Sequence, residues 1–324
     1  MSEPRPATGA PAHALALDIG GTKLAAALVD SEGRVTAASR IATPATGSEA
    51  DAESLWRTVE ALAAGALAAA GDPPLAGVGV GCGGPMSWPA GLVSPLRIPA
   101  WRDFPLRERV AAAYPGLPVR LHNDASCLTA GEHWRGAGRG RDHVLGMVVS
   151  TGVGGGLVLG GRLADGATGN AGHIGHVVVD PDGPPCACGG TGCLEAVARG
   201  PAALAWARDN GWAAAPGAGG AELVADADRG HPVAAAALAR AGRALGIAIA
   251  SAVALLDVEV VAIGGGLVQA GRWLLDPLEE AYRSYARLDF AREVPVVAAA
   301  LGQQAGLVGA AALVHRGERY WSAG

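Results

Sequence analysis

Two strand-turn-strand units with glycine-rich turns, one near the start of the chain and one near its middle, constrain the fold more than any other feature. His13 to Ile19 and Leu24 to Asp30 are short apolar runs on either side of Gly20-Gly21-Thr22-Lys23, and apolar runs of this length bounded by turn residues read as buried strands. His143 to Ser150 and Val153 to Leu159 repeat the arrangement around Thr151-Gly152. In the first half, Leu55, Val59, Leu62 and Ala66 recur at helical spacing ahead of a third strand at Leu75 to Cys82. In the second, Leu245, Ile249, Val253 and Leu256 mark one face of a long helix ahead of a strand at Glu259 to Ile263. The same succession in each half predicts a duplicated α/β domain with an active cleft between the copies.

A chain of 324 residues that is 50 % hydrophobic is long enough for two domains, each burying a core. Its formal charge of −5 offers no basic field for nucleic acid. No uninterrupted apolar run of about 18 or more residues stands out as a membrane span, and Met1 to Ala12 carry three prolines and no apolar stretch of the kind a signal peptide needs. The expectation is a cytoplasmic protein without a nucleic-acid or membrane partner. With 50 glycines in the chain, a lone glycine carries little weight.

Cys186, Cys188 and Cys193, with His176 upstream, form the other compact feature. Three thiols and an imidazole can close a tetrahedral Zn²⁺ site. A disulfide within so short a loop would be strained, which leaves a redox or incidental cluster as the alternative. Four protein ligands leave no open position for an activated water, so a zinc here is structural and the chemistry lies elsewhere.

The glycine turns can carry that chemistry. In Asp18-Ile19-Gly20-Gly21-Thr22-Lys23 the glycines let backbone N–H groups approach phosphate oxygens, Asp18 can hold Mg²⁺ through water, and Thr22 and Lys23 can contact phosphate; a plain tight turn is the alternative. Ser150 to Gly156, with Thr151 and Gly152 at its head, has the same form, and two such turns favour a nucleoside triphosphate. Gly264-Gly265-Gly266 follows a strand and suits a purine lying flat against backbone, or simply a turn into a helix. After a strand at Pro118 to Leu121 comes His122-Asn123-Asp124. A carboxylate at a strand end can take the proton from a sugar hydroxyl during phosphoryl transfer, and Asn123 can both donate to and accept from a polyol; a turn or helix cap is the alternative.

Taken together, Asp18 to Lys23, Asn123-Asp124, Ser150 to Gly156, Gly172-His173-Ile174-Gly175-His176, the three-cysteine knuckle and Leu194-Glu195 resemble the ROK family of sugar kinases and repressors from about residue 13 onward. The resemblance implies an α/β actin-like (ribonuclease H-like) ATPase fold. Its small domain would be residues 1–121 joined by a C-terminal helix in 305–324, and its large domain residues 122–304 with the knuckle. It implies ATP with Mg²⁺, Asp124 as base, and Gly84, Asn123, His173, His176 and Glu195 at the sugar, with His176 also binding zinc through its other ring nitrogen and the zinc orienting the loop to Glu195.

Two positions depart from the kinase pattern. Where the glucokinases of the family usually have Glu this chain has His173, a form that resembles bacterial N-acetylmannosamine kinases; a neutral imidazole has one donor and one acceptor, and its donor can serve an N-acetyl carbonyl. Arg97 stands where a sugar-contacting Asn is common, so it points to solvent, narrows the pocket, or favours an anionic or cyclitol-like acceptor. The expected reaction is phosphorylation of the 6-hydroxyl of N-acetylmannosamine, with glucose or another hexose-like acceptor as the alternative. About a dozen residues before the first strand are too few for a repressor's helix-turn-helix, which leaves an inactive sugar-binding regulator as the non-enzyme reading. Apolar faces on the long helices of the second half point to a homodimer or homotetramer.

Overall fold

The computed structural model describes residues 12–47, 51–88 and 90–322. They form two compact units: the residues through Asp124 together with those from Ala310 onward, and Ala125–Gly309. In the first unit the chain runs through β1 (His13–Ile19), β2 (Lys23–Val29), β3 (Val35–Ala42), α1 (Asp51–Ala69), β4 (Leu75–Cys82), the short hairpin of β5 (Met86–Ser87) and β6 (Leu92–Val93), α2 (Leu106–Ala113) and β7 (Val119–Asn123). The sheet order is β3-β2-β1-β4-β7. β1 to β3 form an antiparallel meander, and β4 and β7 add in parallel beside β1. β1, β2 and β4 read as near-continuous apolar runs because both faces of the sheet centre are covered. β3 lies at the edge, where exposed and half-buried residues alternate.

The second unit repeats this order. It contains α3 (Asp124–Arg135), whose first residue closes the first unit, then β8 (Val144–Val149), β9 (Val153–Leu159), β10 (Arg162–Leu163), α4 (Leu194–Ala198), α5 (Gly200–Asp209), α6 (Gly220–Asp228), α7 (Pro232–Leu256), β11 (Val260–Gly264), α8 (Arg272–Tyr285), α9 (Asp289–Arg292) and β12 (Val296–Ala298). Its sheet order is β10-β9-β8-β11-β12, antiparallel from β10 to β8 and parallel from β8 to β12. The chain returns to the first unit within α10 (Ala305–His315) and ends in α11 (Gly317–Tyr320). Gly79 of β4 permits that return, since a Cβ there would lie 1.9 Å from the Ala310 carbonyl oxygen.

α7 is long and apolar enough to cross a membrane by length and composition, although Arg240 and Arg243 interrupt its apolar run. Here 61 % of its most apolar window is buried inside the protein, where it packs against α4, α5, α6 and α8. Gly242 and Gly246 bring it backbone to backbone with α8: a Cβ at either would fall 2.2 Å and 2.4 Å from the Leu274 and Leu278 carbonyl oxygens.

Beyond its first residue, α3 is held by Glu132, which is fully buried. Its carboxylate accepts from the N–H groups of Ala137 (2.8 Å), Ala300 (2.9 Å) and Leu301 (2.8 Å), joining the end of α3 to the segment that leads into α10. Glu132→Ala leaves three partly buried donors without their acceptor and is expected to cost about 2–4 kcal/mol of stability, at ~1–3 kcal/mol per orphaned group softened by water access. Urea unfolding reads this directly, and a midpoint equal to that of the parent protein would contradict it.

Candidate functional site

In the first unit, strand register assembles the residues of interest. Asp18 of β1 lies opposite Gly81 of β4, and Gly81 opposite His122 of β7; one residue on, Ile19, Cys82 and Asn123 align. The carboxyl ends of three parallel strands, spaced at ~4.8 Å, therefore bring Asp18, Gly83, Gly84, Asn123 and Asp124 to one sheet edge. That edge is where open α/β sheets take ligands. Asp18 is pushed above the ordinary carboxylate range by burial, with Lys23 and Arg40 opposing the shift. The Cys82 thiol beside it is driven well above its usual range by burial, reinforced by the negative charges of Asp124 and Asp18. This thiol is inert, and its surroundings show that both carboxylates lie near it.

The turn after β1 is braced from outside. Gly20 N–H donates to the Lys23 carbonyl at 3.0 Å, while Thr43 donates through its hydroxyl to Gly20 O (2.6 Å) and through its N–H to Thr22 O (3.0 Å). Gly21, Thr22 and Lys23 remain exposed. Nothing in the sequence of a threonine after an edge strand marks Thr43 as a turn brace. Asn123 is buried at the end of β7, its N–H donating to His122 Nδ1 at 2.8 Å, and Asp124 opens α3. Gly84 O accepts from Leu96 N–H at 3.1 Å. Arg97 is half-buried with its stem against the glycine turn: a Cβ added to Gly21 would be 2.3 Å from Arg97 Cβ.

In the second unit the turn after β8 is the short one around Thr151-Gly152 that the sequence predicts. Ser150 N–H donates to Gly152 O at 2.8 Å, and Thr151 and Gly152 are its partly exposed residues. Gly154, Gly155 and Gly156 belong to β9 instead, and their missing side chains serve packing. A Cβ at Gly154 would meet Ala125 Cβ at 2.9 Å, one at Gly156 Ser126 Cα at 2.6 Å, and one at Gly155 Ile174 Cγ2 at 2.8 Å. At the end of β11, Gly265 has φ +103° and would place a Cβ 2.2 Å from Val149 O, so this position demands glycine. Gly265 and Gly266 are exposed, with Gly264 half-buried behind them.

His176 ends a short 3-10 turn, Ile174–His176, and the strand-like residues after it pair with the knuckle through Leu194 N–H to Val177 O (2.8 Å) and Val179 N–H to Gly192 O (2.9 Å). One ligand atom from each of His176, Cys186, Cys188 and Cys193 falls within 4.8 Å of all the others. Cys188 Sγ and Cys193 Sγ are 3.7 Å apart, as are Cys186 Sγ and His176 Nδ1. A tetrahedral ion with Zn–S near 2.3 Å has S···S edges of ~3.8 Å, so these donors fit zinc, whereas a disulfide needs ~2.05 Å. Next along the chain, buried Glu195 in α4 accepts from Val153 N–H at 2.8 Å, which couples the knuckle to the first residue of β9.

The ring of His173 stacks on that of His176, with centroids 6.1 Å apart and planes 24° from parallel. His173 Nδ1 is 2.9 Å from the Asn170 carbonyl oxygen. A carbonyl only accepts, so Nδ1 carries the proton and donates to it. The donor expected at this position for an N-acetyl carbonyl is already engaged.

Two sheets of matching strand order, each opening on a hairpin with a glycine turn, define a duplicated actin-like, ribonuclease H-like ATPase fold. The chain belongs to the ROK family, whose profile matches residues 14–317. It is 34 % identical over 314 residues to a glucokinase of Streptomyces coelicolor, spanning 92 % of this chain and 96 % of that one. To an N-acetylmannosamine kinase of Escherichia coli it is 36 % identical over 305 residues, spanning 94 % and 99 %. The solved structure of a ROK family glucokinase from Streptomyces griseus in complex with glucose and AMPPNP superimposes with a TM-score of 0.82 at 34 % identity, covering 94 % of this chain and 99 % of that one. Within the family, the chain is an ATP-dependent sugar kinase.

Proposed function

We propose that the protein transfers the γ-phosphoryl group of ATP to the 6-hydroxyl of N-acetylmannosamine. The observation that carries the choice of acceptor is the 2.9 Å bond of His173 Nδ1 to the Asn170 carbonyl oxygen, which in a neutral ring leaves Nε2 as an acceptor. An acceptor nitrogen with a single lone pair matches the N–H of a 2-acetamido group, whereas the carboxylate of the glucokinase pattern has oxygens for two hydroxyls. The hydrogen bond to the acceptor thus runs opposite to the one read from the sequence, with the sugar donating.

In this reading Asn123, His176, Glu195 and the backbone at Gly84 orient the sugar. Magnesium bound with the nucleotide would neutralise phosphate charge, and Asp18 would hold it through water. Gly20, Gly21, Thr22 and Lys23 meet its phosphates together with Thr151 and Gly152, and Gly264, Gly265 and Gly266 receive the nucleoside. As the 6-oxygen bonds to the γ-phosphorus, the bond to the β,γ-bridging oxygen breaks, ADP leaves, and the hydroxyl proton passes to the Asp124 carboxylate. Zinc held by His176, Cys186, Cys188 and Cys193 would supply rigidity, fixing the His176 ring and the approach to Glu195.

The test is ATP consumption across glucose, N-acetylmannosamine, N-acetylglucosamine, mannose, fructose and a cyclitol. The highest kcat/KM is expected with N-acetylmannosamine. His173→Glu is expected to shift the ratio of the two main substrates roughly ten- to a hundredfold toward glucose, the scale of one buried polar group left unmatched. Wild-type preference for glucose by more than tenfold, or an unchanged ratio in the variant, overturns the choice of acceptor and leaves the protein a kinase of glucose or of another sugar in the panel.

A further inference from the structure

We propose that Arg97 contacts the phosphoryl group in transfer and not the sugar ring, an inference that rests on the kinase reading above. Three features of the first unit support it. The stem of Arg97 packs on Gly21, with the built Cβ of that glycine 2.3 Å from Arg97 Cβ and 3.3 Å from Cδ. Only glycine at position 21 permits this seat, and Gly21 lies in the turn assigned to phosphate. A second cation, Lys23, stands two residues further along the same turn.

The second feature is the direction of the segment bearing Arg97. A Cβ built on Gly83 would lie 3.5 Å from Pro95 Cβ and 4.0 Å from Asp124 Oδ2, so the run from Pro95 to Arg97 passes from the neighbourhood of the base to the phosphate turn. The phosphoryl group moves between those same two points, from the nucleotide to the oxygen deprotonated by Asp124.

The third is rigidity. Ile98 is fully buried and its N–H donates to Pro95 O at 3.1 Å; Leu96 N–H donates to Gly84 O at 3.1 Å; and Arg102 Nη1 donates to the Pro95 and Ile98 carbonyls at 2.8 and 3.1 Å. These bonds fix the backbone that carries Arg97, and a guanidinium fork reaching the phosphoryl group from it would stabilise the charge spread over the three equatorial oxygens of the transition state. An uncharged sugar hydroxyl makes no comparable demand for a fixed positive charge.

Arg97→Met and Arg97→Lys test this in steady-state kinetics, with sugar affinity measured separately by calorimetry without nucleotide. Arg97→Met is expected to lower kcat by ~10²–10³-fold while sugar KM and Kd stay within about threefold, and inhibition by the sugar 6-phosphate product should weaken about tenfold. Arg97→Lys, which keeps the charge and loses the fork, should recover part of kcat. Retained kcat with weakened sugar binding or altered acceptor preference would overturn the assignment, and so would loss of sugar binding in both variants. Turnover by the unmutated protein in the same assays reads the kinase assignment by itself, so the two ideas fail separately.

Discussion

Asp124→Asn is expected to lower kcat by ~10²-fold or more while leaving sugar affinity and stability close to those of the parent protein. The two side chains have the same shape, and asparagine can still accept a hydrogen bond from the 6-hydroxyl, so ground-state binding survives. What it cannot do is take the proton. Asp124 opens α3 directly after the strand-end Asn123, with Oδ2 at 4.0 Å from where a Cβ on Gly83 would stand. A Cβ at position 83 would make only ordinary van der Waals contact with this carboxylate. Quenched-flow measurement of sugar phosphate separates loss of the chemical step from slow product release. Turnover near the parent rate would remove Asp124 from the role of base.

Cys188→Ser is expected to lose one zinc ion per chain and to weaken sugar binding by ~10–100-fold, the usual consequence of disturbing the support of a metal site. Cys188 is the exposed member of the cluster and is not itself assigned to the sugar, so any effect on affinity must travel through the other ligands and their loop. The route is short. His176 faces Cys186 through Nδ1, Leu194 is hydrogen-bonded to Val177, and Glu195 follows Leu194 and holds Val153. Elemental analysis of protein purified without chelator should find zinc, and chelation followed by zinc addition should reverse the loss of affinity in the parent protein. Metal-free yet fully sugar-competent protein would refute the link.

Much of this architecture is legible in the residues themselves. β1, β2, β4 and the β8–β9 hairpin announce themselves because a strand covered on both faces is apolar throughout. β3 escaped notice because an edge strand needs apolar groups on one side only, and here those positions are as small as Ala37. The stripe on α7 showed one face of the helix but not its reach, since Arg240 breaks the run; in the structure its guanidinium donates to Val197 O at 3.3 Å. Residue types at the site were readable, their surroundings were not. No pattern announces that Gly21 lies beneath Arg97, or that the Asn170 carbonyl sets the tautomer of His173, because both depend on residues brought together only by folding.

The bare middle of β9 bears on how this chain can change over time. Gly154 and Gly156 admit the first turn of α3, the helix that begins with Asp124, and Gly155 admits Ile174, between His173 and His176. A methyl group at any of the three displaces a neighbour that carries or adjoins a site residue, although none of the glycines is assigned to a ligand. Saturation mutagenesis scored by growth on the sugar would therefore rank these positions beside the base itself, and a reader of such a map would take them for chemistry. They are clearance, and the lineage can alter its acceptor at His173 far more freely than it can add a carbon atom here.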